Sequence, residues 1–281
     1  MAKIKVLIPT GFGENCSLEA SEAYRLAGAE PQIAHITDIL SGKISIQDFH
    51  ILNWGGGFLD GDDLGSGKAG ANRLKYAKIA TTGVTLFDEI MKFHNSGKLI
   101  GGQCNGFQLW AKAGLLPGIS RNDQQVTLSR NQSGKFENRW VHLIVNKKSP
   151  CIWTKGISKM FLPVRHGEGK LVVSEDEQGK DVLKEIKKMN LIALQYANEK
   201  GSVATSYPEN PNGSVESIAG LCDPTGRIFA LMPHPEAYVH PYTHPYWTRL
   251  KSRCSKQKLP KEGDGLMIFR NAVKYVKEEL L

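Results

Sequence analysis

Residues 98–116 read KLIGGQCNGFQLWAKAGLL. The stretch opens as a short apolar strand, KLIGG. It closes as a helix, with Phe107, Trp110 and Ala111 at helical spacing. Cys104 stands between the two, flanked by Gly102 and Gly106. A sharp strand-to-helix turn needs small neighbours, because its backbone leaves little room for Cβ atoms. Such a turn presents a nucleophile at the end of a sheet. The same residues also fit a buried cysteine in a glycine-rich turn, so the reading depends on what surrounds it.

Upstream, KIKVLIP (3–9) is a continuous apolar run, the signature of a parallel strand buried on both faces. The loop TGFGENCS follows, and then LEASEAYRLAGAE, an amphipathic helix ending near Gly28. QIAHIT (32–37) and HILNW (50–54) read as the second and third strands, the latter running into Gly55-Gly56-Gly57. VTLFDEIMKFHNS (84–96) reads as a helix closed by Gly97. Strands alternating with helices predict a doubly wound parallel sheet over the first 120 residues. Active sites in such sheets form at the carboxyl ends of strands, where Cys104 and the 55–57 glycines both fall.

From about residue 125 the pattern changes. VTLSRNQSGKF, RWVHLIV, KMFLPV and KLVVS predict successive short strands, and NLIALQYA and VESIAGL add two more. RIFALMP (227–233) is again a buried apolar run, followed by His-Pro-Glu. GDGLMIFRNAVKYVKEELL closes the chain as a helix with Leu266, Phe269, Val273 and Val276 on one face. One compact domain over residues 1–281 with a β-rich insertion accounts for the pattern.

With 281 residues, 41% of them hydrophobic and 23% charged, the chain can build a full core without disulfide or metal staples. Its five cysteines are scattered, with no C-x-x-C pair, which argues against a disulfide framework and a zinc ribbon. No apolar run reaches membrane-spanning length, and MAKIKVLIP lacks a signal-peptide core, so no membrane partner and a cytoplasmic location are expected. The net charge of +8 is spread along the chain, with mild clusters at 147–148, 184–188 and 249–258. None is interleaved with stacking aromatics, so a solvated basic surface is the expectation rather than a nucleic-acid site.

A cysteine nucleophile needs a base, an orienting acid and an oxyanion stabiliser. The free amides of the helix after Cys104 face the site. Two His-x-Glu units follow apolar strands, His166–Glu168 and His234–Glu236, and spacing does not choose between them. Prolines 233 and 235 stiffen the second unit. His240 and His244 have the i, i+4 spacing of a zinc pair, but Pro241 and Pro245 prevent the helix that would align them.

Taken together, GQCNGFQ (102–108), GGGF (55–58) and HPE (234–236) resemble the triad-type, or class I, glutamine amidotransferases. NQSGKFENRW (131–140), HGEG (166–169), NPNGS (210–214), IAGLCDPTGRIFALMPHPE (218–236) and GDGLMIFRNAV (263–273) are similar to the glutaminase component of phosphoribosylformylglycinamidine synthase, an enzyme of purine biosynthesis. The resemblance runs from the first strand to the last helix. It implies the α/β fold of that family, a flavodoxin-like, mostly parallel sheet with a β-rich insertion. It implies Cys104 as nucleophile with His234 and Glu236 completing the triad, which makes His166 a loop residue. Gly56, Gly57 and the amide of Asn105 would form the oxyanion hole, and Gln108 would help bind L-glutamine. Asn131, Ser133, Arg139 and Glu168 fall in matching segments without an assigned role. The family has Pro-Gly-Gly where this chain has Gly55-Gly56-Gly57, and an apolar residue where it has Gln103. The first change would loosen the oxyanion loop, and the second would put a polar group beside the nucleophile.

The implied chemistry is hydrolysis of glutamine through a γ-glutamyl thioester. No Walker-type phosphate loop is present. The resemblance therefore implies no cofactor or metal on this chain, and ATP and Mg2+ on a separate synthetase subunit, with a small accessory subunit besides. It also implies poor glutamine turnover by the isolated chain. An amidotransferase for another acceptor and a non-enzymatic scaffold on the same fold are the alternatives.

Overall fold

The chain runs β1 (Lys5–Thr10), α1 (Ser17–Ala27), β2 (Glu30–His35), α2 (Ile36–Leu40), β3 (Ile51–Trp54), α3 (Lys68–Tyr76), α4 (Leu86–Asn95), β4 (Leu99–Gln103) and α5 (Asn105–Ala113). It continues through β5 (Thr127–Ser129), β6 (Glu137–Val145), β7 (Lys159–His166), β8 (Lys170–Val172), α6 (Glu177–Lys188), β9 (Ile192–Ala197), β10 (Ile218–Cys222), β11 (Ile228–Leu231), α7 (Trp247–Arg253) and α8 (Leu266–Glu279). This computed structural model describes residues 3–120, 123–253 and 259–281. Cys254 and the end of the basic cluster at 249–258 lie outside the described residues.

Nine strands form one sheet in the order β2-β1-β3-β4-β11-β10-β9-β6-β7. Neighbours from β2 to β11 are parallel. This half has the doubly wound order of flavodoxin-like sheets. From β11 outward every pairing is antiparallel. The β-rich stretch expected as an insertion therefore largely extends the main sheet; β5 and β8 form a separate two-stranded ribbon. The reason is visible in β6, whose ENRWVHLIV alternates buried and partly exposed positions. A strand with one wet face pairs readily in an antiparallel ladder.

Successive residues of β3 serve opposite faces of the sheet. Asn53 accepts a hydrogen bond from the Tyr24 hydroxyl of α1 at 3.0 Å. Trp54 packs edge-on against Trp110 of α5 at 5.5 Å, a contact worth about 1 kcal/mol beyond its buried area. On the first face Tyr24 also meets Phe269 of α8 at 4.9 Å. On the second, α3 packs against α5, and Gly70 allows it, since a Cβ there would stand 2.9 Å from Leu109. Every residue of α5 is buried, as expected of a helix covered on all sides. Among the described residues no helix is long and apolar enough to cross a membrane.

Candidate active site

Cys104 stands between β4 and α5, as the cap of α5, with φ 50° and ψ −100°. A side chain in such a conformation costs about 1–3 kcal/mol. The surroundings impose it. The Cys104 amide donates to the Leu231 carbonyl at 2.8 Å, and that of Gly106 to the Gly55 carbonyl at 3.1 Å. A Cβ on Gly102 would stand 2.6 Å from Trp110, and one on Gly106 would overlap the Trp54 carbonyl. Both glycines are thus required by helix, strand and turn meeting at close quarters. In the first turn of α5, Phe107 and Gln108 both donate to the Cys104 carbonyl. With Gly106 also engaged, Asn105 keeps a backbone N–H with no backbone acceptor among the described residues.

His234 follows β11, the strand next to β4, and its amide is tied to the Pro163 carbonyl at 2.8 Å. Pro235–Ala237 forms a 3-10 turn with Pro235 at its start. The turn brings Glu236 Oε1 to 2.5 Å from His234 Nδ1. Both residues are 3% exposed. The GDGL segment explains itself here: Gly265 lies against the Pro235 carbonyl and Gly263 against that of Tyr238, where a side chain would overlap. Burial by itself would push the His234 pKa down. The Glu236 carboxylate and the nearby Cys104 sulfur instead hold it well above the ordinary range. His234 Nε2 is buried with no hydrogen-bond partner among the described residues. The structure thus joins Cys104 to the second His-x-Glu unit.

The first unit does something else. His166 is not a loop residue but the last residue of β7, 2% exposed. Asn131 Nδ2 donates to the carbonyls of Lys135 and His166 at 2.8 and 2.7 Å. Its Oδ1 is therefore the acceptor, and it receives His166 Nδ1–H and the Gly169 amide, each at 3.0 Å. Asn131 thereby pins the HGEG turn. Ser133 and Arg139 both hold Glu137, the hydroxyl at 2.6 Å and the guanidinium at 3.2 Å. Glu168 Oε2 accepts from the Ser66 amide at 2.9 Å. Burial, with the charge on His234 next, pushes His166 down to about 3. An unfolded histidine takes its proton near pH 6.5, so folding loses stability as pH falls below that value. The loss is at most about 1.4 kcal/mol per pH unit. His166→Gln is expected to flatten the pH dependence of urea stability between about pH 6.5 and 5 by nearly one proton. An unchanged slope would show that His166 titrates normally.

Cys104, His234, Gln108 and Gly57 line one cavity of about 650 Å3. Its wall carries the acids Glu19, Asp62 and Glu168 and the bases Arg130, Lys135 and Arg165. Gln108 Nε2 donates to the Glu168 carbonyl at 2.5 Å, and its Oε1 accepts from Asn105 Nδ2 at 3.0 Å. Gly56 lies against both His234 and Cys104: a Cβ there would stand 2.7 Å from His234 Cε1 and 3.4 Å from Cys104 Cβ. At Gly55 a Cβ would stand 2.5 Å from Glu14 Oε1. The Glu14 carboxylate, which accepts from the Cys16 amide and the Thr10 hydroxyl, occupies that space. Gln103 does not present its polar group to the thiol. It exchanges two hydrogen bonds with Asn53, at 2.8 and 3.0 Å, inside the sheet. His240 faces Glu22, while His244 packs among Trp140, Phe161 and Tyr238.

One residue of the site escaped the sequence reading. Cys16 lines the same cavity with its sulfur 3.9 Å from His234 Nδ1. Its place in the loop after β1, at the carboxyl end of a parallel strand, was the available signal.

The structure thus sets a strained thiol between strand and helix beside a buried histidine–glutamate pair that leaves the adjacent parallel strand of an open α/β sheet. The chain belongs to the CobB/CobQ-like glutamine amidotransferase domain family, whose model matches residues 3–276. It is 43% identical to the phosphoribosylformylglycinamidine synthase subunit PurQ of Dehalococcoides mccartyi, over 99% of this chain and 100% of that one. Identity to PurQ of Methanococcus maripaludis is 42%, over 96% of this chain and 97% of the other. Among solved structures, a chain of PurLQS from Thermotoga maritima is similar with a TM-score of 0.66 at 28% identity, over 98% of this chain and 100% of that one.

Proposed function

We propose that this chain is the glutaminase subunit of a phosphoribosylformylglycinamidine synthase, with Cys104, His234 and Glu236 as its triad. The observation that carries the triad is the forced elbow at Cys104 beside the buried His234–Glu236 pair. The purine acceptor rests on full-length similarity to PurQ subunits. The cavity suits glutamine, an amide carried on a zwitterion, because it offers acidic and basic groups on one wall.

Cys104 sulfur attacks the side-chain amide carbon of glutamine. The oxyanion forms against the free amide of Asn105 and the Gly56–Gly57 turn, each such donor contributing about 3 kcal/mol in comparable sites. His234 gives a proton to the departing ammonia, leaving a γ-glutamyl thioester. Water then attacks the thioester carbon, His234 takes its proton, and glutamate leaves as the sulfur is regained. Glu236 holds the imidazole in place and offsets its charge. Gln108 shapes the floor by holding Glu168 and Asn105, and meets glutamine there.

Ammonia then passes to a separate synthetase subunit that binds ATP and Mg2+, with a small accessory subunit in the assembly. Phe12 and Leu64, 85% and 72% exposed, and the half-exposed Phe58 stand on the loops after β1 and β3. Such apolar groups near a cavity mouth suit a protein partner. The test is intact mass and peptide mapping after treatment with a glutamine analogue bearing an electrophile at the amide position. One adduct on Cys104, prevented by excess glutamine, is expected. An adduct on another cysteine, with Cys104 untouched in chain and complex alike, would sink the assignment.

A further inference from the structure

The triad uses one thiol, and the structure places a second beside it. Cys16 is 8% exposed and Cys104 5%, and both line the cavity. The donor atoms of Cys16, His234 and Glu236 all lie within 4.8 Å of one another. Gly56 separates the thiols: a Cβ on it would stand 3.1 Å from Cys16 Sγ and 3.4 Å from Cys104 Cβ. The missing side chain leaves the two cysteines bordering the same gap. Cys16 is also well anchored. Its amide donates to Glu14 Oε1 at 2.8 Å, and its thiol to Asn15 Oδ1 at 3.2 Å. Nothing in glutamine hydrolysis requires a thiol at this position.

We propose that Cys16 is a resolving thiol for Cys104, so that a hydroperoxide oxidises the site to a Cys16–Cys104 disulfide instead of destroying the nucleophile. The proposal rests on Cys104 being the reactive thiol of the proposed function. Cys104 sulfur attacks one peroxide oxygen and breaks the O–O bond. It becomes a sulfenic acid, and the peroxide leaves as hydroxide. Cys16 sulfur then attacks the sulfenic sulfur, an S–S bond forms, and the S–O bond breaks. The sulfenic hydroxyl departs with the Cys16 proton as water. Two thiols have lost two electrons and one peroxide has gained them. A thiol reductant reverses the bridge by exchange. Without Cys16, the sulfenic acid proceeds to sulfinic and sulfonic acids, which thiols do not reduce.

The setting supports each step. Both cysteines line one cavity large enough to hold a small oxidant. Burial pushes the Cys16 thiol up in pKa, and His234 Nδ1, 3.9 Å from the sulfur, acts the other way and favours the thiolate that attacks. A second close pair of cysteines, Cys151 and Cys222, lies elsewhere in the core. It provides an internal comparison, since neither residue lines the cavity.

The experiment treats the full chain with a few equivalents of hydrogen peroxide and reads intact mass, then maps peptides without reduction. Wild type is expected to lose about 2 Da, with Cys16 and Cys104 in one crosslinked peptide, and to return to its starting mass with dithiothreitol. Cys16→Ser and Cys16→Ala are both expected to gain about 32 or 48 Da on Cys104 and to stay so after dithiothreitol. Cys104→Ser gives no crosslink. A Cys151–Cys222 bridge with Cys16 and Cys104 unlinked would overturn the proposal. So would Cys104 oxidation that dithiothreitol reverses equally well in wild type and Cys16→Ser. These masses report on thiols, not on glutamine, so failure of the amidotransferase reading would show separately in the analogue labelling.

Discussion

Cys104→Ala is expected to lower glutamine hydrolysis by about 10^3-fold or more, the scale at which removing a triad nucleophile leaves only binding and oxyanion stabilisation. With the synthetase partner present, synthesis driven by added ammonium should persist, since the variant removes the source of ammonia and not its acceptor. The fold should survive, because alanine keeps the Cβ and loses one buried atom. A second substitution separates chemistry from strain. Cys104 is held at φ 50° and ψ −100°, where any side chain is disfavoured and glycine is not. Cys104→Gly should therefore be more stable to urea than Cys104→Ala by about 1 kcal/mol, while equally inactive. Glutamine turnover within tenfold of wild type in Cys104→Ala would remove the thioester from the mechanism. Equal stability of the two variants would show that the elbow stores no strain.

Much of this site was legible because its parts are local. KLIGG, the flanking glycines and FQLWA specify strand, turn and helix within one stretch, and His-Pro-Glu needs only two residues of separation. β11 is a continuous apolar run, and β1 and β3 are mostly apolar; all three are buried throughout or nearly so. What was not legible depends on distant contact. Nothing in RWVHLIV or NLIALQYA states which sheet edge they join, so the antiparallel half appeared as an insertion. α6 escaped because its buried residues are only Gly179 and Ile186, too thin an apolar face to show a helical period. α3 is interrupted by Gly70, whose reason lies in Leu109 of another helix. Gln103 was expected beside the nucleophile because it is adjacent in sequence. Strand alternation instead turns it to Asn53. His166 could not be separated from His234 by spacing. Asn131, remote in sequence, fixes its tautomer and its place in the core.

Gly56 shows how far such a distant contact can govern function. Its position in Gly-Gly-Gly suggests a flexible turn, and the family resemblance a place in the oxyanion hole. Its surroundings specify that no Cβ fits: one would stand 2.7 Å from His234 Cε1, 3.1 Å from Cys16 Sγ and 3.4 Å from Cys104 Cβ. The imidazole cannot retreat freely, because Glu236 holds it at 2.5 Å and the Pro163 carbonyl holds its backbone. In Gly56→Ala the loop or the imidazole must shift by a few tenths of an ångström or more. Misplacement on that scale is expected to cost about 10^2-fold in kcat, with stability falling by about 1–3 kcal/mol from overpacking. Gly57→Ala should divide its cost differently. Gly57 has φ +130°, and its Cβ would stand 2.5 Å from the Gly13 carbonyl oxygen. Backbone yields less readily than a side chain, and the conformation itself excludes alanine. Gly57→Ala should therefore lose more stability than Gly56→Ala for each factor lost in kcat. Urea unfolding alongside glutamine kinetics for the two variants decides it. A Gly56→Ala protein within threefold of wild-type kcat would mean that the triad tolerates displacement, and that the Gly56 contact does not set its geometry.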